Sequence, residues 1–302
     1  MNPFSNKASS YDKHSFIQKE VNNRLLSRLD LIKHNKLNIL EIGSGTGYLS
    51  QDLQQKHPHV NIISMDLSYE MALVHKNKND NVKCVVGNAE NPPFQLSTFD
   101  TLLSSLTLHW CNIDSNLFLK FSNLLTPNGL LLFSVAGPDT FKEFKKCPPD
   151  IYEKLRFNEY LDMHHYGDFL LQSDFRDPVM DNEQITIEFS KFSQLLDSIR
   201  LTGTNITDST NRAHITKAEY NIIKSCLYND ASSSFELTSD TSPLPISPLS
   251  ISCSGASKKK LQINRTTTES IIASIRFLLS IDYFFSFGTG SYPSEPPKSF
   301  IG

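Results

Sequence analysis

Asn38-Ile39-Leu40-Glu41-Ile42-Gly43-Ser44-Gly45-Thr46-Gly47 is a short apolar run that passes through an acidic residue into a G-x-G-x-G turn. Closely spaced glycines at a strand end let the backbone approach a ligand without interference from Cβ atoms, and the helix that follows can aim its N-terminal amides at that ligand. The stretch therefore predicts a nucleotide-type site at the end of a parallel strand. A dinucleotide fingerprint needs its third glycine at position 48, where this chain has Tyr48. Glu41, just ahead of the glycines, suits instead a ligand with a cationic amino group and no pyrophosphate. Taken alone, the turn is also compatible with a tight bend that binds nothing.

Around that stretch, short apolar runs alternate with helical patterns. Strands are expected at 38–42, 60–65, 82–86, 100–108 and 129–136, the last after the Pro127-Asn128-Gly129 turn, with helices at 47–56, 69–76 and 114–125. Alternation of this kind is the signature of an α/β fold, a mostly parallel sheet with helices on both faces, and its ligand belongs at the carboxyl ends of the strands. A helix at 161–172, a strand at 178–189 and a helix at 190–201 complete most of a sheet of about seven strands. Ahead of the glycine turn, Ile17, Val21, Leu25, Leu29 and Ile32 recur at helical spacing and predict one amphipathic helix from His14 to Lys33. From Ala231 a Ser-, Thr- and Pro-rich stretch runs to Ser257, followed by Lys258-Lys259-Lys260, and reads as linker or disorder. Residues 271–287 turn apolar again and suit a final strand or helix.

Composition narrows the class. The 302 residues carry a formal charge of −3, with 39% hydrophobic and 20% charged residues, as in an ordinary globular protein, and nothing global favours nucleic acid. Cys84, Cys111, Cys147, Cys226 and Cys253 form an odd set with no C-x-x-C pair, which indicates neither a disulfide framework nor a zinc ribbon. The first residues show no apolar leader, and no run approaches the roughly 18 apolar residues of a membrane span, so a cytoplasmic location without membrane contact is expected. Residues 1–36 hold seven basic residues against three acids, a local charge of +4 that suits either a solvated surface or an acidic partner.

Asp66 closes the second predicted strand 19 positions after Gly47, where a carboxylate can accept hydrogen bonds from both hydroxyls of an adenosine ribose. Leu67 and Met71 would cover the adenine, although Met71 also suits the core. At the end of the third strand, Asn88 in Gly87-Asn88-Ala89-Glu90 can accept from the exocyclic amine, and the Ala89 backbone can serve the ring nitrogen. A turn-forming asparagine is the plainer reading of the same residue. Glu41, Gly43, Gly45, Gly47, Asp66, Leu67, Met71, Asn88 and Ala89 together predict an S-adenosyl-L-methionine site.

Glu41 to Gly47, Asp66-Leu67-Ser68, Asn88-Ala89-Glu90 and Phe99-Asp100 resemble the motif series of class I S-adenosylmethionine-dependent methyltransferases over roughly residues 37–136, which implies a Rossmann-like fold. A closer resemblance extends over about residues 4–205. Ala8-Ser9-Ser10-Tyr11-Asp12 with Gln18, Leu108-His109-Trp110, Gly137-Pro138-Asp139-Thr140-Phe141, Asp162-Met163-His164-His165 and Asp177-Pro178-Val179-Met180-Asp181 resemble the BioC-type malonyl-[acyl-carrier protein] O-methyltransferases of biotin synthesis. The complex I assembly factors of the same superfamily, associated with arginine hydroxylation, share the Leu-His-Trp and Asp-Thr segments and are one alternative. A non-catalytic cofactor-binding protein is the other. Two departures stand out: Asn88 occupies a position where many methyltransferases carry Asp, and the family's short aromatic last strand is not recognisable after Asn229.

The resemblance implies methyl transfer to the free carboxylate of a malonyl thioester on acyl carrier protein. A carboxylate is ionised at pH 7, so no catalytic base and no metal is expected, and Tyr11, His14, His109 and Trp110 are expected to hold the malonyl group. The adjacent His164 and His165 lack a third ligand at metal spacing. Three parts follow: a helical cap over 1–36, a methyltransferase domain over 37–230 and an atypical tail over 231–302, partly disordered. The basic face of the cap, Arg24 and Arg28 included, is expected to dock the acidic carrier.

Overall fold

The computed structural model describes residues 4–33, 37–155, 157, 160–189, 191–202, 215–228, 252–253 and 275–288. In chain order the elements are α1 (Tyr11–His14), α2 (Phe16–Leu31), β1 (Asn38–Ile42), α3 (Tyr48–Lys56), β2 (Asn61–Asp66), α4 (Tyr69–Lys78), β3 (Lys83–Val86) and β4 (Phe99–Ser105). They continue with α5 (Ser115–Leu124), β5 (Leu125–Ala136), α6 (Pro149–Leu155), α7 (Met163–Leu171), β6 (Phe175–Phe189), α8 (Phe192–Thr202), α9 (Lys217–Tyr228), β7 (Ser252–Cys253) and β8 (Ile275–Gly288).

One sheet of order β3-β2-β1-β4-β5-β8-β6-β7 runs through the molecule. β1 to β5 are mutually parallel, and β8 is antiparallel to both β5 and β6. The expected α/β sheet with helices on both faces is therefore present, with a two-residue edge strand, β7, as an eighth member. Strands covered on both sides must bury both sets of alternating side chains. Ile39, Leu103, Leu132 and Tyr283 pack on one face against α2, α3 and α8, while Leu40, Leu102, Phe133 and Phe284 pack on the other against α5 and α7.

The last full strand settles the choice between strand and helix that the sequence leaves open for residues 271–287. Residues 275–288 form the strand between β5 and β6, so the sheet takes a central member from beyond residue 230, the limit expected for the domain. A run such as Tyr283-Phe284-Phe285 is apolar on both faces because both faces are covered, and periodicity alone cannot separate such a strand from a buried helix. Phe284 is fully buried and stacks on Phe133, with ring centroids 4.6 Å apart. Most of the intervening Ser-rich stretch lies outside the described residues.

The leading helix forms as α2, within the bounds expected for it, and a separate short turn, α1, precedes it. Ser15 leaves helical geometry (φ −87°, ψ 36°) and separates α1 from α2. α2 buries Val21, Leu25 and Leu29 in the core, as its stripe requires. Its arginines point to the sheet and not to solvent. Arg24 pairs with Glu20 and Glu183, and Arg28 pairs with Asp181 and Glu183 while its guanidinium lies 3.7 Å from the centroid of the Tyr283 ring. Their side chains are only 14% and 20% exposed. The docking role expected for Arg24 and Arg28 is thereby overturned: these cations fasten the cap to β6 and β8.

The glycine turn is locked by its neighbours. Gly43, Gly45 and Gly47 all have positive φ (73°, 54° and 87°), a region costly for residues with a Cβ. A Cβ on Gly43 would lie 2.1 Å from Thr107 Oγ1, and one on Gly47 would lie 2.1 Å from the His75 ring. His75 is fully buried and 2.9 Å from Ser50 Oγ through Nε2.

Two stability outcomes are expected. Phe284→Ala should cost about 3–5 kcal/mol in urea unfolding, because it empties a stacked core position; an unchanged midpoint would place β8 outside the folding unit. Gly47→Ala should cost roughly 2–4 kcal/mol from left-handed strain plus overpacking. In a double-mutant cycle, His75→Ala should recover the overpacking part, and strict additivity would mean that the ring is not what the new methyl meets.

Candidate active site

A cavity of about 760 Å3 opens at the carboxyl ends of the parallel strands. Its floor is the glycine turn after β1, the β2 end at Asp66, the β3 end at Asn88 and the β4 end at Ser105 to Thr107. Each floor segment lies at a point where a strand stops and the chain must turn, which is where parallel α/β sheets offer free backbone groups.

At the turn, the N–H groups of Gly43 and Ser44 both donate to Met65 O, at 2.8 and 3.0 Å. The N–H of Gly45 donates to Asp66 Oδ2 at 2.7 Å, and the Ser68 N–H donates to Asp66 Oδ1 at 2.8 Å. Asp66 is thus aimed by two backbone amides while each oxygen keeps a lone pair for a ligand. Burial pushes its carboxyl up and the two amides counteract that. Glu41 is buried and accepts from Ser64 Oγ at 2.8 Å; burial pushes its pKa up to about 7. A cation arriving beside it would restore the ionised form. Gly45 differs from its two neighbours, because a Cβ built there meets nothing within 4 Å. Its backbone faces open cavity.

Asn88 Oδ1 accepts from the Glu90 N–H at 2.9 Å, an Asx turn that orients the side chain at the β3 end. Leu67 is exposed at the rim and Met71 is buried beneath it. Met71 is therefore both buried, as a core role requires, and part of the cavity wall.

The N-terminal segment forms the roof. Asp12 accepts from Thr46 Oγ1 and pairs with Lys78, tying α1 to the glycine turn and to α4. Lys19 donates to the Asp12 carbonyl at 2.8 Å and sits 4.1 Å over the Tyr48 ring. Ser5 Oγ lies 2.9 Å from Ser68 Oγ, and Phe4 meets Trp110 edge-on at 5.5 Å. Tyr11 lines the cavity under this roof, its phenol held protonated by burial and by the nearby carboxylates of Asp66 and Asp12.

Beyond β4 a short 3-10 turn, Leu108–Trp110, swings His109 over the β5 end. His109 Nδ1 accepts from the Ala136 N–H at 3.4 Å, which leaves the ring proton on Nε2, and burial pushes its pKa down to about 3. The imidazole is a neutral donor at physiological pH. Trp110 lies 5.3 Å and Tyr160 5.5 Å from it, centroid to centroid.

All residues nominated from the sequence line this cavity except Gly47 and His14. Gly47 supports the turn from behind against His75. His14 ends α1 and lies outside the wall, because the break at Ser15 turns the chain after it. Tyr160, and Ser198 and Thr202 on α8, line the cavity without any local signal, whereas Phe141, held at φ 59°, sits in the stretch 137–141 that carries the family resemblance. Gln18 belongs to the segment whose spelling was already notable. His164 pairs with Asp162 on the exposed start of α7, and no group of three metal-ligating side chains occurs among the described residues.

The methyltransferase domain family matches residues 40–133. The malonyl-[acyl-carrier protein] O-methyltransferase of Gallionella capsiferriformans is 32% identical over 213 residues, covering 68% of this chain and 73% of its own. That of Legionella pneumophila is 32% identical and covers 69% and 75%. Among solved structures, the YcgJ protein from Bacillus subtilis aligns with a TM-score of 0.54 at 14% identity, over 89% of this chain and 99% of its own. A putative methyltransferase from Bacillus halodurans aligns at 0.52 and 11% identity, over 89% and 100%. The structural likeness speaks for the fold alone, whereas identity near one third along most of both chains speaks for common descent: the chain belongs to the malonyl-[acyl-carrier protein] O-methyltransferase family.

Proposed function

We propose that the protein transfers the methyl group of S-adenosyl-L-methionine to the free carboxylate of malonyl-[acyl-carrier protein], forming the methyl ester early in biotin biosynthesis. The observation that carries this is one continuous cavity that joins the open backbone at Gly45 and the acidic pair Glu41 and Asp66 to an uncharged chamber beyond β4. The cofactor suits the first end: Glu41 faces the ammonium, Asp66 the ribose hydroxyls, and Asn88 with the Ala89 backbone the adenine edge, covered by Leu67 and Met71. Gly43 and Gly45 let the backbone come close. When bound, S-adenosylmethionine supplies a methyl group on a cationic sulfur, whose transfer to a carboxylate oxygen breaks the carbon–sulfur bond with the electron pair left on sulfur and no proton released.

The chain's own residues then have little acid–base work. Malonate's carboxylate is ionised near pH 7, so alignment and partial desolvation supply the acceleration. His109 cannot remove a proton through Nε2, which already carries one; it donates, as Tyr11 does. Trp110 and Tyr160 exclude water from the acceptor end. A cytoplasmic location suits the reading; no described helix is long and apolar enough to cross a membrane. The carrier approaches a cap whose arginines are already engaged with the sheet, so its docking rests on other residues.

The test is incubation with labelled S-adenosylmethionine and malonyl- or acetyl-loaded carrier, read by intact mass. One added methyl on the malonyl carrier and none on the acetyl carrier is expected. An oxygen-dependent mass gain on a protein arginine, or no gain at all, contradicts the proposal.

Cofactor affinity should depend on pH with a defined sign. The Glu41 carboxyl, raised to about 7, is neutral below that pH and cannot pair with an ammonium. Binding measured by calorimetry should therefore tighten as pH rises from about 5.5 to 7.5, by up to roughly tenfold per unit in the steep region. Glu41→Gln should bind weakly at both pH values and lose the dependence.

A further inference from the structure

Three uncharged polar side chains, Ser15, Gln18 and Asn22, share one face of α2 and all line the cavity. Their spacing of three and four residues sets them on one inward stripe beside the apolar stripe of Val21, Leu25 and Leu29. A helix face turned into a protein is ordinarily apolar, so this one needs an occupant.

Ser15 is the N-cap of α2, yet its hydroxyl makes no capping bond. A serine in that position ordinarily accepts from an amide of the first turn. Here Oγ is sealed from solvent on a residue only 1% exposed, with no hydrogen-bond partner among the described residues. Gln18 Oε1 is likewise without a partner, and turning the amide over in the same space presents its Nε2 as a donor to the cavity. Two buried and unsatisfied polar atoms on one cavity wall are each destabilising unless a ligand engages their groups.

The wall's position indicates which ligand. α1 packs against α8, and Ser198 and Thr202 of α8 complete the same chamber with Ala136 of β5 and Ile281 of β8. This lies across β4 and β5 from the Asp66 and Asn88 end. The charged lining residues are Glu41, Asp66 and Glu90 on the cofactor side and Lys19, which is committed to Asp12 and Tyr48. The stripe therefore meets its ligand with neutral hydroxyl and amide groups.

We propose that Ser15, Gln18 and Asn22 are the seat of the acceptor's carboxylate. This deepens the proposed function and rests on it. Neutral donors can orient an anion while leaving its charge on the attacking oxygen, whereas a paired guanidinium would hold the charge more strongly and lower its nucleophilicity. The same donors give selectivity: an acyl group without the carboxylate leaves them unpaired, a penalty that sites built on hydrogen bonds use to reject analogues.

The test compares wild type, Ser15→Ala, Gln18→Met and Gln18→Glu, measuring S-adenosylhomocysteine affinity by calorimetry and methyl transfer to malonyl-loaded carrier by steady-state kinetics. Ser15→Ala removes no capping bond, and retained S-adenosylhomocysteine binding reports that each variant is folded. The alanine and methionine variants should lose roughly ten- to a hundredfold in kcat/KM with product affinity changed less than about threefold. Gln18→Glu, nearly isosteric but charged, should lose more than Gln18→Met, which a purely structural role would not produce. Unchanged transfer in the variants overturns the seat, as does a loss of product affinity equal to the loss in transfer, which would assign the stripe to the cofactor. A wild-type protein that transfers no methyl overturns the underlying function as well.

Discussion

The left-handed turn at Gly43 to Gly47 is the constraint on which the rest of the site depends. Its three positive φ angles bend the chain sharply enough for the Gly43 and Ser44 amides to reach Met65 O and for the Gly45 amide to reach Asp66. That single bend fixes β1 against the β2 end, aims Asp66, and leaves Thr46 facing Asp12 of the roof. Thr107 and His75 close in on Gly43 and Gly47, so the β4 end and α4 are positioned by the same five residues. Gly45 alone is left with open space before it.

Charge is sorted along the cavity. Carboxylates lie at the β1 and β2 ends, where Ser64 bonds one and two backbone amides bond the other. Past β4 the polar groups are hydroxyls, amides and a neutral imidazole. Burial holds His109 uncharged, and its bond to the Ala136 amide fixes the proton on Nε2. In the proposed reaction a cationic cofactor and an anionic acceptor would thus meet between a wall that favours positive charge and one that orients negative charge without neutralising it.

The parts legible in the sequence are those whose physics is local. β1 to β5, the glycine turn and the acid at the end of β2 each announce themselves within about ten residues, because strand burial and turn geometry act over that range. What escaped is set by distant partners. Arg24 and Arg28 look like a free basic face until Asp181 and Glu183, some 150 residues on, are found against them. The apolar stripe of α2 begins at Ile17, so periodicity says nothing of the turn at Ser15 or of the displacement of His14 that follows from it. The apolar run at 271–287 suits a strand or a helix, and only its pairing with strands far upstream makes it β8. Tyr160 and Thr202 reach the cavity only through the packing of the whole domain.

If the attacking group is a pre-ionised carboxylate held by neutral donors, the chemical step needs no proton removed. Single-turnover methyl transfer, with cofactor and malonyl-loaded carrier both saturating, tests this most directly when followed from about pH 6 to pH 8.5. A rate that stays level, with all of the label in an ester, is the expected result. A rate that climbs about tenfold per pH unit, the mark of a nucleophile that must first be deprotonated, would contradict it.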